Sequence, residues 1–248
     1  MSKTAVTRIT HSCHLIEIGG RTFLTDPWFS TRPGYYQGEP IAIGIPDLPK
    51  LDGVLISHEH YDHCDLETFA SYRDQSVPLF VAETVVEAAR KHNFTNVTAL
   101  APWQQVETGG VTITATPAKH GVYEVTFVLR AGSDAIYFAG DTMLIPELGQ
   151  IPQRLGRISL ALLPTNGLHI RPAGNMQVVM NAREAAELTA ILKPELAIPH
   201  HYAFTSGFLG DRLITRSDKN PWHYQDAVRD VTPETSVRII EPGTRIEL

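Results

Sequence analysis

The chain has 248 residues, of which 43% are hydrophobic and 19% charged, with a formal net charge of −6 and two cysteines. That length buries a core of its own, the composition excludes extensive disorder, and scattered Lys and Arg form no basic stripe of the kind that neutralises nucleic-acid phosphates. MSKTAVTRIT holds no signal-like apolar run and no stretch approaches the ~18 apolar residues that span a bilayer; Cys13 and Cys64 then read as free thiols in a reducing cytoplasm.

In chain order, Ala5–Thr10, Leu15–Ile18 and Thr22–Thr25 are β-rich runs, and Gly19-Gly20 marks a tight hairpin between the second and third. Residues 29–49, rich in Gly, Pro and Tyr, read as a long loop of the kind that walls a site. Gly53–Ser57 is a short buried strand. Leu66–Arg73 reads as a helix, Leu79–Val81 as a strand and Thr84–His92 as a second helix. Strands follow at Thr112–Thr116, Glu124–Arg130, Ala135–Ala139 and Leu160–Leu163. Ala182–Leu192 is an amphipathic helix stopped by Lys193-Pro194, with a strand at Leu196–Ile198 behind it. Arg238–Ile240 and Arg245–Glu247 read as a closing hairpin around Pro242-Gly243. No internal repeat or composition break divides the chain. The pattern predicts one domain over residues 1–248, two mixed sheets packed face to face with helices outside.

The chemistry concentrates in Ser57-His58-Glu59-His60-Tyr61-Asp62-His63, directly after the apolar strand. Four potential ligands fall within six consecutive positions: His58, His60, Asp62 and His63. Imidazole nitrogen and carboxylate oxygen suit zinc, and manganese or ferrous iron occupy similar mixed sites. An open catalytic site takes about three protein ligands and a water, so the surplus points to two ions if further ligands arrive from elsewhere. Three candidates do so at strand ends: His120, Asp141 in Gly140-Asp141-Thr142, and the competing pair His200 and His201. Core packing does not require four strand ends to carry one kind of ligand.

The spacing His-x-His-x-Asp-His in HEHYDH, followed by His120, Asp141 in GDT and a histidine in IPHHY, resembles the metallo-β-lactamase superfamily. ITHSCHLIEIGGRTFLTDPWF, SHEHYDHCD and AIPHHYAF are similar to the branch that contains ascorbate-6-phosphate lactonase, over a span from about Thr7 to the C-terminus. The resemblance implies an αββα sandwich of two mixed sheets flanked by helices. It implies that His58, His60 and His120 hold one divalent ion, that Asp62, His63 and His201 hold a second, and that Asp141 bridges them. It places the last ligand immediately before Tyr, which selects His201 over His200. Zinc is the foremost ion by ligand type, and manganese is the alternative through the named branch.

A hydroxide between two cations attacks a carbonyl or phosphoryl centre, with Asp62 orienting the water and passing a proton to the leaving group. The length between Asp141 and His201 leaves no room for the domain that polynucleotide-cleaving relatives insert. His60 stands where the flavodiiron branch has Glu, and the persulfide dioxygenase and glyoxalase branches lack the opening segment. The expected function is hydrolysis of a lactone, ester or similar acyl bond in a small molecule, with or without a phosphate group. The rivals are a phosphodiesterase acting on small or phospholipid-like diesters and a non-catalytic metal-binding protein. The expected partner is a small-molecule substrate, with no nucleic acid and no membrane span, and a homo-oligomer is compatible with the chain.

Around this core, His11, His169, Arg171 and Tyr202 are candidate substrate contacts; Arg171 offers a bidentate fork for an anion. His14 reads as a packed or surface histidine, Cys64 as a small hydrophobe, Tyr61 as packing beside the site, and Asp26 as support for a ligand. Residues 29–49 and 204–222 are the expected pocket walls.

Overall fold

The computed structural model describes residues 4–248. Three antiparallel strands open the chain: β1 (Ala5–Thr10), β2 (Cys13–Ile18) and β3 (Arg21–Thr25). Gly19 and Gly20 turn the β2–β3 hairpin with φ of 59° and 75°, a conformation two L side chains would adopt only under strain. After a two-residue strand β4 (Tyr36–Gln37) the chain runs parallel to β3 through β5 (Gly53–Ile56), β6 (Leu79–Val81) and β7 (Val97–Ala99), with α1 (Leu66–Phe69) and α2 (Val86–Lys91) between them. The second half begins with an antiparallel meander, β8 (Gln105–Thr108), β9 (Val111–Pro117), β10 (Val125–Ala131) and β11 (Asp134–Phe138). It continues through α3 (Ile151–Leu155), β12 (Leu160–Pro164), β13 (Leu168–Ile170), β14 (Met176–Gln177), α4 (Ala182–Leu192) and β15 (Leu196–His200). The last elements are β16 (Phe204–Thr205), α5 (Gly207–Gly210), β17 (Ile214–Arg216), α6 (Pro221–Val231), β18 (Ser236–Val237) and β19 (Arg245–Glu247).

Two seven-stranded mixed sheets result, ordered β19-β1-β2-β3-β5-β6-β7 and β18-β15-β12-β11-β10-β9-β8. Alternation along each strand divides its side chains between two layers. On β11, Ile136 and Phe138 face the first sheet, in one cluster with Ile16, Phe23 and Leu55. Ala135 and Tyr137 face outward, in a second cluster with Ala185 and Leu188 of α4 and Tyr224 and Val228 of α6. The result is the expected αββα sandwich.

Helix α4 has the boundaries read from the sequence, set by a capping box in which Asn181 and Glu184 satisfy each other's backbone N–H groups. The helix expected over 66–73 stops after Phe69. The closing hairpin does not form: β18 joins the second sheet beside β15, whereas β19 crosses to the first sheet beside β1. Pairing with those open edges satisfies more backbone than an isolated hairpin could. The second expected wall is partly helix, because Asn220 caps α6 and Pro221 starts it.

The topology sets up a site. In each sheet the parallel strands carry their carboxyl ends to one edge of the sandwich, where ligand sites of open α/β sheets gather. Asp26 follows β3, residues 57–63 follow β5, Gly140-Asp141 follows β11, Asn166 follows β12 and His201 follows β15.

Candidate metal centre

The segment after β5 turns tightly, with His63 N–H donating to the His60 carbonyl at 2.9 Å. That turn aims its side chains at two adjacent points. At the first, His60 Nδ1 lies 3.1 Å from His58 Nε2 and 3.1 Å from His120 Nε2. Nitrogens bound at ~2.0–2.1 Å around a tetrahedral zinc stand about 3.3 Å apart, so the spacing fits an ion. At the second, donor atoms of His11, Asp62, His63 and His201 lie within 4.8 Å of one another. Asp141 Oδ2 stands 2.8 Å from His201 Nε2 and 3.3 Å from His63 Nε2. The His58 and His63 rings, 4.3 Å apart between centroids, join the two clusters.

Buried nitrogens and oxygens ordinarily find hydrogen-bond partners. Here His11 Nε2, His63 Nε2, His201 Nε2 and Asp141 Oδ1 are buried and, though carboxylates or imidazoles stand close by, make no well-directed hydrogen bond. Leaving one such group unpaired costs about 1–3 kcal/mol. Several converging on one spot is what a cation-binding donor set requires, and the residues present fit metal binding.

Charge agrees. Burial alone would raise the Asp62 carboxyl, but His63 and then the His11 and His201 rings beside it, at 3.4 and 3.8 Å, hold it well below the usual carboxylate range. Asp141 is likewise depressed: burial opposes, and His201 and His63 prevail. Burial penalises charge on His63 and His201, yet Asp141, with Asp62, lifts both above the ordinary histidine value. Histidine protons there do the work a metal cation would do. At the first point, burial first and neighbouring histidines next push His58 well down and His60 to about 4, leaving neutral imidazoles ready to ligate.

A layer of supporting groups orients these rings. Asp26 accepts from His63 Nδ1 at 2.6 Å, Ser57 Oγ at 2.7 Å and Ser57 N–H at 2.8 Å. His120 Nδ1 donates to the Val178 carbonyl at 2.7 Å, freeing Nε2 for the cluster. Asn166 Nδ2 lies 2.8 Å from His201 Nδ1 and donates to the His201 carbonyl at 2.7 Å. Glu124 Oε1 accepts from Asp141 N–H at 2.6 Å and lies 3.3 Å from His58 Nδ1; burial, the strongest influence, takes its carboxyl up to about 8. Gly140 turns into Asp141 with φ of 50°, and a Cβ there would stand 2.3 Å from Glu124 Oε1. His11, Asp26 and His201 all have positive φ (46°, 32° and 63°), strain of the kind that gathers at functional sites. For His11 the strain is held by Glu39, which accepts its N–H at 2.6 Å and is clamped by both Nη2 contacts from Arg8.

All seven side chains expected to hold ions therefore meet, and His201 rather than His200 is aimed inward. The Nδ1 of His200 instead pairs with Ser12 Oγ at 3.0 Å, on the far side of the chain. The expected substrate contacts fare differently. His11 is 1% exposed and belongs to the second donor cluster. His169 donates Nδ1 to the Gly167 carbonyl at 2.7 Å and alternates away from the pocket that its neighbours Leu168 and Ile170 line. Arg171 lies exposed on the 3₁₀ turn after β13. The Tyr202 hydroxyl is taken by Arg8 Nη1 at 2.5 Å, behind the site. His14 is buried and packed, and the Cys64 thiol is pushed up by burial. Asn166 and the Arg8–Glu39 clamp carry no signal in the sequence. A lone acidic residue at the head of the apolar run VTFVL was the only signal for Glu124.

A pocket of about 190 Å³ opens onto both clusters. Its walls are His60, His120, Asp62, Asp141 and His201 on the polar side, and Tyr35, Leu168, Ile170, Val178, Phe204 and Ile214, with Gly121, on the other. The loop after Phe29 does supply a wall residue, Tyr35, and residues 204–222 supply Phe204 and Ile214.

Comparison with known proteins agrees. A family model described as "Beta-lactamase superfamily domain" matches residues 21–202. A UPF0173 metal-dependent hydrolase from Caldivirga maquilingensis is 25% identical over 242 residues, covering 96% of this chain and 95% of its own. Among solved structures, a metallo hydrolase from the archaeon Ignicoccus hospitalis superposes with a TM-score of 0.77 at 23% identity, covering 100% of this chain and 99% of that one. An isothiocyanate hydrolase from Delia radicum gut bacteria superposes with a TM-score of 0.75 at 19% identity, covering 98% of each chain.

Proposed function

The chain belongs to the β-lactamase superfamily as a metal-dependent hydrolase of the metallo-β-lactamase fold, and from that premise we propose that it hydrolyses an acyl bond, of a lactone, ester or related carbon electrophile, in a small molecule. The observation that carries this reading is one pocket whose walls include donors from both clusters. His58, His60 and His120 would hold one divalent ion, Asp62, His63 and His201, with His11, the other, and Asp141 would bridge them. Such ions, zinc by donor type with manganese as the alternative, lower the pKa of bound water and polarise the bond under attack.

The protein's own groups divide the remaining work. Asp62, held ionised in the pocket wall, accepts the proton of the attacking water and delivers it to the leaving group. Tyr35 carries the one hydroxyl among the lining residues, and burial, reinforced by Asp62, raises its pKa so that it stays protonated and can donate to a developing oxyanion. The apolar wall excludes bulk water, which strengthens each of these interactions.

Acyl chemistry is favoured over phosphodiester chemistry by the same wall. No Lys or Arg is among the lining residues, so beyond the ions nothing in the wall would meet the charge a phosphodiester keeps. The isothiocyanate hydrolase of similar fold acts on an electrophilic carbon, which supports water addition at carbon here. The test is a panel of lactones and aryl esters against bis-p-nitrophenyl phosphate, run with zinc- or manganese-loaded protein and after chelation. Metal-dependent turnover of lactones or esters is expected. Turnover of the diester alone would overturn the reading.

A further inference from the structure

We infer that the substrate's non-reacting part is an uncharged hydrocarbon group of about six carbons, seated on the wall formed by β13 and β17, and that this wall sets specificity. The inference rests on the hydrolase reading for its orientation, with the reacting carboxyl oxygens at the donor clusters.

The wall is built by register. β13 and β17 pair antiparallel with Ile170 opposite Ile214, and directly opposed residues share a sheet face. Leu168, two positions from Ile170, therefore joins them, and all three line the pocket. Val178 closes the end beside His120, whose Nδ1 its carbonyl holds, and Phe204 closes the end beside His201, their rings stacked at 6.1 Å. The charged groups of the pocket thus sit on one side and an aliphatic surface on the other. A cavity of about 150 Å³ with such a lining holds a benzene. The 190 Å³ here, shared with the reacting group, suits a tail of comparable size.

Neither arginine beside the wall is among the residues that line the pocket. Arg216 opposes Leu168 in the register; its Nη2 pairs with Asp211 at 2.6 Å, its guanidinium lies 5.5 Å from the Phe204 ring centre, and its Nε and Nη1 are buried without a hydrogen-bond partner. Arg32 lies over the Tyr61 ring at 3.8 Å and over the ring of the wall residue Tyr35 at 4.8 Å, and is not itself among the lining residues. A phosphate or carboxylate seated on Leu168, Ile170 and Ile214 would lose its hydration against a surface with no Lys or Arg among its lining residues, a cost far above that of an alkyl group.

Product binding tests this without requiring turnover. Acetate, butyrate, hexanoate and adipate are titrated calorimetrically into zinc-loaded protein; the shared carboxylate engages the donor clusters and the tail reports on the wall. Affinity is expected to rise up to about fourfold per methylene from acetate to hexanoate, with adipate at least about tenfold weaker than hexanoate. Ile170→Arg is expected to reverse the hexanoate-over-adipate order with zinc content unchanged. The milder Ile214→Ala is expected to weaken hexanoate severalfold while leaving acetate alone. A series without chain-length dependence, absence of binding included, overturns the inference. So does adipate binding as well as hexanoate, which would point to Arg216 swinging past Phe204 to meet an anion. If the tail preference holds but no ester or lactone is cleaved, the acyl-hydrolase reading fails and the wall stands.

Discussion

Asp26→Asn changes the charge and one acceptor of the group that aims His63, while nearly preserving its shape. Asp26 is fully buried with φ of 32°, a conformation Asn tolerates as well as Asp, so backbone strain is not the variable. The native carboxylate receives three donors: Ser57 N–H on one oxygen, Ser57 Oγ and His63 Nδ1 on the other. An Asn can present its one oxygen to the pair or to the single donor, and in either case its NH₂ faces a buried donor. One orphaned buried donor costs about 1–3 kcal/mol, and at ~2–4 °C per kcal/mol for a chain of this size Tm falls by roughly 2–12 °C. Loss of the hydrogen bond that orients a ligating imidazole costs about 10–100-fold in metal affinity. Competition with a chromophoric chelator measures affinity, and thermal melts of metal-free protein isolate the folding cost. Metal affinity within twofold of the native protein, beside the predicted loss in Tm, would refute the claim that Asp26 acts through His63.

Three further outcomes follow from the same geometry. Gly140→Ala places a Cβ at a φ of 50° and 2.3 Å from Glu124 Oε1, so it should cost at least about 1–2 kcal/mol from the left-handed backbone alone, in a melt. It should also dislodge Asp141 and release bound metal to a chelator faster; a melt and a release rate both like native would contradict this. His11→Ala should retain the native circular dichroism but lose one of two ions selectively on dialysis against a weak chelator, since only the second cluster includes it. Equal retention of both ions would assign His11 elsewhere. For pH, the raised histidines His63 and His201 stabilise metal-free protein fully below about 6.5 and lose that effect as pH rises through their folded values. The depressed Asp62 and Asp141 do so above about 3.9 and lose it as pH falls through theirs. His11, His14, His58, His60 and His200, which burial lowers, act in the opposite sense and withdraw stability as pH falls below about 6.5, so metal-free protein should melt highest near that value and lower on either side. Metal-loaded protein should gain stability with pH, because ions displace the histidine protons; parallel pH profiles would count against the site.

What the sequence determined by itself was local. A hairpin announced by Gly19-Gly20, a helix stopped by Lys193-Pro194, apolar runs of strand length and a cluster of ligands after one of them all depend on neighbours a few residues apart. Those properties survive in the primary order because steric limits on the backbone act over single turns. Tertiary structure decided everything that needed residues far apart to meet. β18 and β19 are eight residues apart in the chain yet complete different sheets, because each finds an open strand edge there. His169 looked as available as Leu168 until β13 paired with β17 and strand alternation turned it from the pocket. Glu124, 17 positions from Asp141, became its anchor only when β10 and β11 lay side by side. His11 likewise joined the second cluster across 51 residues to Asp62, through a strained turn that Glu39 and Arg8 hold from elsewhere in the fold. Long-range pairing selects which side chains share a space, and burial then makes their unpaired atoms seek a cation.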